Sequence, residues 1–385
     1  MRKIGIFGGT FNPVHNGHIN IAKTAKESLG LDFVIMMTGG NPPHKNSEDL
    51  LDAGIRHIML KLAIKDIDGL VPCDYEVKRE EYSYTVNTLE FFKRIYPEDE
   101  LYFIMGGDSI DYFHKWYKPE RILSLANLVV YGRGKEHNIK FIEDKFCAKV
   151  ILLNGEFIDI SSTELRNSKE LLKESVPSVV YEFIKKYRLY DKKRSDMDIL
   201  KEYLKDSRLN HSIGVSKVAK DLSKIFGVDE NIAERAGLLH DIAKYIPHNE
   251  ALLMCGELEA EIDPIEREMP PLIHAKLGAE LVKCLFNIKE GEITSAIRWH
   301  TVGKTNMSTL DKIIFVADMI EEGRSFPGVE KIREASKYDL DLAVLYSIES
   351  SVKFNLLKGN TVHPMAYRII KEISSKKDID KTRNL

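Results

Sequence analysis

Cysteine is scarce in this chain: four in 385 residues, at positions 73, 147, 255 and 284, with no C-x-x-C pair among them. That argues against a disulfide framework and fits a reducing cytoplasm. Long apolar runs are missing as well. No uncharged stretch approaches the roughly 20 residues that a membrane-crossing helix needs. The start, Met-Arg-Lys-Ile-Gly-Ile-Phe-Gly-Gly, turns to glycine too early for a secretory leader, so a cytoplasmic protein without a membrane partner is expected. Neither charge is in excess: 56 Lys and Arg stand against 59 Asp and Glu, a net charge of −3. That balance speaks against nucleic acid as a partner. Internal repeats and low-complexity tracts are also absent.

What is present is a globular composition, 43% hydrophobic and 30% charged. At about 150 residues per domain, the length predicts two domains. Residues 1–190 alternate short β-rich runs (3–7, 33–37, 101–105, 127–131, 149–153) with helical patterns, including 17–29 and one opening at Ser47-Glu48-Asp49. That alternation predicts an α/β domain with a parallel sheet and helices on both faces. Residues 191–197 are charged and read as a linker. From 198 to 373 strand signals nearly vanish and helical patterns dominate (199–205, 211–226, 230–243, 274–286, 292–300, 309–321, 339–357), so an all-α domain is expected. The charged stretch 374–385 reads as a frayed tail.

The strongest local signal is Gly8-Gly9-Thr10-Phe11-Asn12-Pro13-Val14-His15-Asn16-Gly17-His18. It follows a strand and opens a helix. Glycines let backbone approach a phosphate, and a helix start presents N–H groups to an anion. His15 and His18 lie three apart, on neighbouring positions of one face, where two imidazoles can donate to a polyphosphate. The spacing is not that of a P-loop. Farther on, Ile160-Ser161-Ser162-Thr163-Glu164-Leu165-Arg166 offers hydroxyls and a cation for phosphate oxygens. The same S-x-x-E spacing also suits a plain helix cap.

The second half carries histidines at telling positions: His211, then His240-Asp241 with Lys244 four residues after His240, then His274, His300 and Asp318. Five nitrogen or oxygen ligands besides Asp241 are too many for one tetrahedral ion. They suit two ions of higher coordination sharing a carboxylate, with Lys244 supplying a cation for a phosphate oxygen.

The G-G-T-F-N-P-V-H-N-G-H and I-S-S-T-E-L-R pair resembles the nucleotidylyltransferases, a Rossmann-like superfamily. Pro42-Pro43-His44-Lys45, Ser83-Tyr84-Thr85 and Gly106-Gly107-Asp108-Ser109 with Trp116 narrow the likeness to bacterial nicotinate mononucleotide adenylyltransferases. Asn12 departs from the Asp that many members carry. The resemblance implies transfer of AMP from ATP, with Mg²⁺, to nicotinate mononucleotide, releasing pyrophosphate for NAD biosynthesis. It implies ATP contacts from Gly8, Gly9, Thr10, Phe11, His15, His18, Asp108, Ser161, Ser162, Thr163 and Arg166, with His15, His18 and Arg166 catalytic. Lys45, Thr85, Trp116 and Arg133 would bind substrate, Lys45 by supporting the leaving pyrophosphate. Trp116 would stack on the pyridine ring, and Thr85 would present backbone groups to the nicotinate carboxylate.

The ordered His, His-Asp, His, His, Asp string resembles the HD-domain phosphohydrolases with a dinuclear centre. Arg208-Leu209-Asn210-His211-Ser212 and Gly237-Leu238-Leu239-His240-Asp241-Ile242-Ala243-Lys244 look like the family that hydrolyses diadenosine tetraphosphate to two ADP. That likeness implies His211, His240, Asp241, His274, His300 and Asp318 as ligands of two divalent ions, iron or manganese ahead of zinc. Asp241 and Lys244 would be catalytic, with water activated between ions about 3.5–4 Å apart. Arg298, Arg324, Arg333 and Arg368 are candidates for distal phosphates. A different nucleotide phosphohydrolase or phosphodiesterase, or a metal-bound sensing module without turnover, stays open. A module that had lost catalysis would be expected to have lost a ligand, and none is missing.

Overall fold

The computed structural model describes residues 1–40, 49–79, 84–132, 139–153, 160–191 and 194–383, without the side chains of 377–383. The chain divides into two units, Met1–Tyr190 and Asp191–Leu385. No described helix is long and apolar enough to cross a membrane.

The first unit runs β1 (Lys3–Gly9), α1 (Asn16–Leu29), β2 (Phe33–Thr38), α2 (Ala53–Ile64), β3 (Leu70–Cys73), α3 (Thr85–Ile95), β4 (Glu100–Gly106) and α4 (Gly107–Ile110). It continues with α5 (Pro119–Leu125), β5 (Asn127–Tyr131), α6 (Ile139–Phe146), β6 (Val150–Leu153), α7 (Ser162–Asn167), α8 (Lys169–Ser175) and α9 (Ser178–Lys186). The strands form one sheet in the order β3-β2-β1-β4-β5-β6, and every pairing is parallel. Both faces are covered, so the strands read as unbroken apolar runs. Ile4 and Ile6 of β1 and Leu101, Phe103 and Met105 of β4 share a core cluster with Val86, Leu89 and Phe92 of α3. The winding reverses between β1 and β4, and such folds bind ligands beyond the carboxyl ends of the strands at that place.

Two local readings need correction. β3 carried no visible signal. It is four residues long and holds Pro72, which an edge strand tolerates because one side of its ladder is unpaired. The helix expected to open at Ser47 begins at Ala53. There Asp52 caps it, its carboxylate accepting from the N–H groups of Gly54 (2.9 Å) and Ile55 (3.2 Å). Ser47 and Glu48 lie outside the described residues.

The second unit is all helical: α10 (Asp196–Tyr203), α11 (Asp206–Phe226), α12 (Glu230–Leu239), α13 (His248–Glu257), α14 (Pro264–Glu268), α15 (Pro270–Leu285), α16 (Gly291–Trp299), α17 (Thr309–Ile320), α18 (Val329–Ala335), α19 (Leu340–Leu357) and α20 (Met365–Arg383). α10 starts inside the stretch read as a linker, with Ser195 as its cap. The backbone of α20 stays helical to Arg383 where fraying was expected. α12 stops at Leu239, four residues before the expected end. The His240 Nδ1–H donates to Gly237 O at 2.7 Å, the carbonyl that Asp241 N–H would take if the helix went on. The chain then tightens into i→i+3 turns at Ile242 and Lys244.

Candidate active sites

In the first unit, the residues from the two distant motifs meet. The Arg166 Nη1 donates to Asn12 O (2.9 Å) and to Ser162 O (3.1 Å), and the Ser162 hydroxyl donates to Pro13 O (3.2 Å). Arg166 therefore sits against the loop that leads into His15 and His18. The two imidazoles lie against each other, ring centres 3.7 Å apart and planes tilted by 33°. The His15 backbone N–H donates to His18 Nδ1 (3.2 Å), which leaves the His18 proton on Nε2, a donor. Gly9 has to be glycine, because a Cβ there would lie 2.5 Å from the Phe11 ring. Phe11 itself is left-handed at φ 48°. Its buried ring packs edge-on against Phe7 and His18.

The other expected residues have varied surroundings. Ser161 is occupied as a cap: it accepts from Glu164 N–H at 3.2 Å and donates to the Glu164 carboxylate at 2.7 Å. Thr163 Oγ1 accepts from Arg166. Phe11 can face ATP only with its backbone. Trp116 is partly buried, packed edge-on against Phe103 and tilted against Phe113, so at most one of its faces is left for a ring. Asp108 is exposed at the start of α4, directly beyond β4. Thr85 opens α3, where helix N–H groups suit a carboxylate. Lys45 and Arg133 lie outside the described residues. Asn12 is a brace: its side chain joins Asp49 O (2.9 Å), Leu51 N–H (3.3 Å) and the Tyr190 hydroxyl (3.0 Å).

In the second unit all six expected ligands converge around Asp241, which is 1% exposed. Asp241 Oδ2 lies 3.4 Å from His240 Nε2 and 3.9 Å from His211 Nε2, and His211 Nε2 lies 2.9 Å from Asp318 Oδ1. Asp241 Oδ1 faces the other way, 2.9 Å from His274 Nε2 and 3.7 Å from His300 Nε2. One carboxylate thus bridges two half-sites. His211 Nε2, His240 Nε2 and Asp241 Oδ1 are buried yet make no aligned hydrogen bond. Lone pairs that converge without partners are what cations require. The donor set fits.

The imidazoles are pre-set for this role. His240 donates Nδ1–H to Gly237 O, His300 to Ile297 O (2.7 Å) and His211 to the Glu321 carboxylate (3.0 Å). In each case Nε2 is left as the lone pair. His240 and His300 each stand at the C-cap of a helix, so one device places both. Burial pushes His274 down to about 4 against the pull of Asp241 and lowers His300 too, keeping both neutral. Burial alone would raise Asp241, but His240, His274 and His300 hold it well below the usual carboxylate range. Asp318 is likewise lowered despite burial, by His211 and Arg324. His240 goes up: burial opposes its charge, but Asp241 and Asp318 outweigh it. The Lys244 ammonium reaches His274 Nε2 (3.2 Å) and Asp241 Oδ1 (3.7 Å) from a turn and not from a helix face.

Sequence reasoning missed three supporting groups. Glu321 orients His211 and is itself held by Gly323 N–H (2.6 Å); its signal was the Asp318-x-x-Glu321 spacing. Arg208 pairs with Asp241 Oδ2 (2.9 Å), three residues ahead of His211. Arg56, in the first unit, is buried against the loop that follows β1, where it donates to Thr10 O. Of the arginines expected on distal phosphates, Arg324 is bound to Asp318. Arg298 is tied to Glu261 O, and Arg333 to the carbonyls of Ile320, Glu321 and Arg324.

Comparison with known proteins agrees with this division. A Cytidylyltransferase-like family model matches residues 6–168, and an HD domain model matches 208–323. A Mycoplasma genitalium protein named "Probable nicotinate-nucleotide adenylyltransferase/Ap4A hydrolase" is 31% identical over 324 residues, covering 84% of this chain and 88% of its own length. A Clostridium tetani protein named "Probable nicotinate-nucleotide adenylyltransferase" is 42% identical over 199 residues, 49% of this chain and its own full length. A solved chain from Clostridium acetobutylicum, described as a "predicted HD superfamily hydrolase involved in NAD metabolism", is 35% identical. It covers 46% of this chain and 95% of its own length at a TM-score of 0.45.

Proposed function

The chain belongs to the family that joins a nicotinate-nucleotide adenylyltransferase to an Ap4A hydrolase, and from that premise we propose how its two sites carry the two reactions. The first unit transfers AMP from ATP to nicotinate mononucleotide, giving the deamido dinucleotide and pyrophosphate. The second hydrolyses diadenosine tetraphosphate to two ADP.

In the first reaction a phosphate oxygen of the mononucleotide attacks the α-phosphorus of ATP in line, and pyrophosphate leaves. No covalent nucleophile is needed, so the residues position the reactants and stabilise charge. His15, His18 and Arg166 hold the ATP phosphates, and Mg²⁺ travels with the nucleotide. Asp108, just beyond β4, takes a ribose or that ion. Thr85 meets the nicotinate carboxylate at the start of α3, and Trp116 offers its remaining face to the pyridine ring. Lys45 and Arg133 complete the substrate contacts. The observation that carries this reading is Arg166 seated against the Asn12–His18 loop across 154 residues of sequence. Arg166→Met should cut the rate of dinucleotide formation by about 100-fold, as loss of a charge-stabilising donor does, and leave tetraphosphate hydrolysis unchanged. Loss of both activities would contradict the assignment.

In the second reaction His211, His240, Asp241, His274, His300 and Asp318 hold two divalent ions. Histidine–carboxylate ligation without thiolate favours iron or manganese over zinc. Bound there, the ions would activate water and hold the oxygens of the phosphate under attack. Glu321, Gly237 O and Ile297 O keep the imidazole lone pairs aimed inward. Lys244, at the rim of the centre, binds a phosphate oxygen and balances the charge that grows there. The bridging position of Asp241 carries this reading. Metal analysis should find about two ions per intact chain, and Asp241→Asn should abolish hydrolysis while dinucleotide formation persists. A preparation that hydrolyses the tetraphosphate without divalent metal would rule it out.

A further inference from the structure

Arg56, on α2, is the largest fully buried side chain among the described residues, 1% exposed. Among the described residues, every hydrogen bond its guanidinium makes goes to a backbone carbonyl. Nε donates to Leu51 O (2.9 Å), Nη1 to Thr10 O (2.5 Å) and Gly39 O (2.8 Å), and Nη2 to Gly40 O (3.0 Å). Thr10 follows β1 and Gly39 follows β2, the neighbouring strand. The two loops are also joined by Gly39 N–H donating to Gly9 O (2.8 Å). Asp52 acts on Arg56 through space, while its carboxylate caps α2.

A trans peptide is planar, with its N–H opposite its C=O. Turning the Thr10 and Gly39 carbonyls toward Arg56 therefore aims the N–H groups of Phe11 and Gly40 away from it. Backbone donors on two adjacent loops beyond the carboxyl ends of a parallel sheet make an anion cradle. A buried cation beneath it, held by carbonyl dipoles and offset at a distance by Asp52, adds attraction for negative charge. We propose that Arg56 is a positioning residue for adenylyl transfer. It gathers the carbonyls of the β1 and β2 loops so that the Phe11 and Gly40 amides face a nucleotide phosphate. Arg56 touches no substrate itself. The inference rests on the adenylyltransferase reading of the first unit.

A lysine ammonium keeps the charge but lacks the planar fork that spans both loops. In the intact protein, Arg56→Lys should bind pyrophosphate about 10-fold more weakly and raise KM for ATP by a similar factor, the scale of one or two lost charge-assisted bonds. kcat at saturating ATP should stay within about threefold, because the reacting groups are untouched. Tetraphosphate hydrolysis should hold, and the melting temperature should fall by a few degrees while the protein stays folded at the assay temperature. A folded Arg56→Lys protein with wild-type pyrophosphate affinity overturns the proposal. A second measurement needs no variant at Arg56. In ¹⁵N-glycine-labelled wild type, the Gly40 amide, assigned through Gly40→Ala, should move downfield when pyrophosphate is added, and a resonance that stays put overturns the proposal as well. If the wild type neither bound pyrophosphate nor consumed ATP, the adenylyltransferase reading itself would fail, which is a separate outcome.

Discussion

At the scale of single residues, the second site depends on groups that never touch an ion. Glu321 accepts the His211 Nδ1–H and is 6% exposed. Glu321→Gln keeps an acceptor but removes the charge that makes the imidazole a better donor of its lone pair. Divalent-metal affinity, read by titration with Mn²⁺, should fall about 10-fold or more, the usual cost of losing such a partner. Unchanged affinity would make Glu321 a packing residue. Lys244 is the converse case, since it is assigned to phosphate. Lys244→Ala should lower kcat for hydrolysis by about 100-fold and leave the metal content as it was; equal loss of both would place Lys244 among the groups that build the metal site. The ligand histidines and aspartates were legible in sequence because their types are sparse and chemically suggestive. Glu321 and Arg56 were not, because Glu and Arg are common on solvated helix faces. Burial distinguishes both, and for Glu321 the spacing from Asp318 adds a faint second mark.

At the scale of elements, helix ends and close helix crossings place the chemistry. α11 brings His211 and the end of α12 brings His240. The two helices approach so closely that a Cβ on Gly237 would lie 2.9 Å from Ser216 Cα and 3.1 Å from Val215 O. Gly237→Ala must push backbone from backbone, which costs about 1–3 kcal/mol. It should also loosen the metal centre, because the displaced helices carry ligands of the same half-site. A variant with an unshifted melting curve and full metal content would show that the crossing has slack. The long strands and helices were readable because their apolar periods are strong. β3 was hidden by its length and by Pro72. The early end of α12 was hidden because a side chain, the His240 imidazole, takes a carbonyl that backbone propensity would have given to Asp241. Tertiary capping of this kind leaves no mark in the hydrophobic pattern. The capping box at Ser161, by contrast, was legible as a spacing and is realised as one.

At the scale of the whole molecule, metal should stabilise one unit and not the other. Each unit has its own buried core, one around the sheet and α3, the other around helices such as α12, α15 and α17. The residues proposed as ion ligands all belong to the second. An ion that binds the folded second unit stabilises it by RT ln(1 + [L]/Kd), about 2.7 kcal/mol at 100-fold excess over Kd. Removing it also exposes the electrostatic cost of five unfilled donors packed around Asp241. Calorimetry of the intact chain should therefore resolve two transitions, and a chelator should move one of them down by several degrees while the other stays in place. Adding ATP with Mg²⁺ should raise the transition that the chelator leaves alone. Because the two ligands act on different transitions, each serves as the control for the other. A single transition that responds to both would mean that the units unfold as one cooperative body, and the assignment of metal to the second alone could then no longer be read from heat.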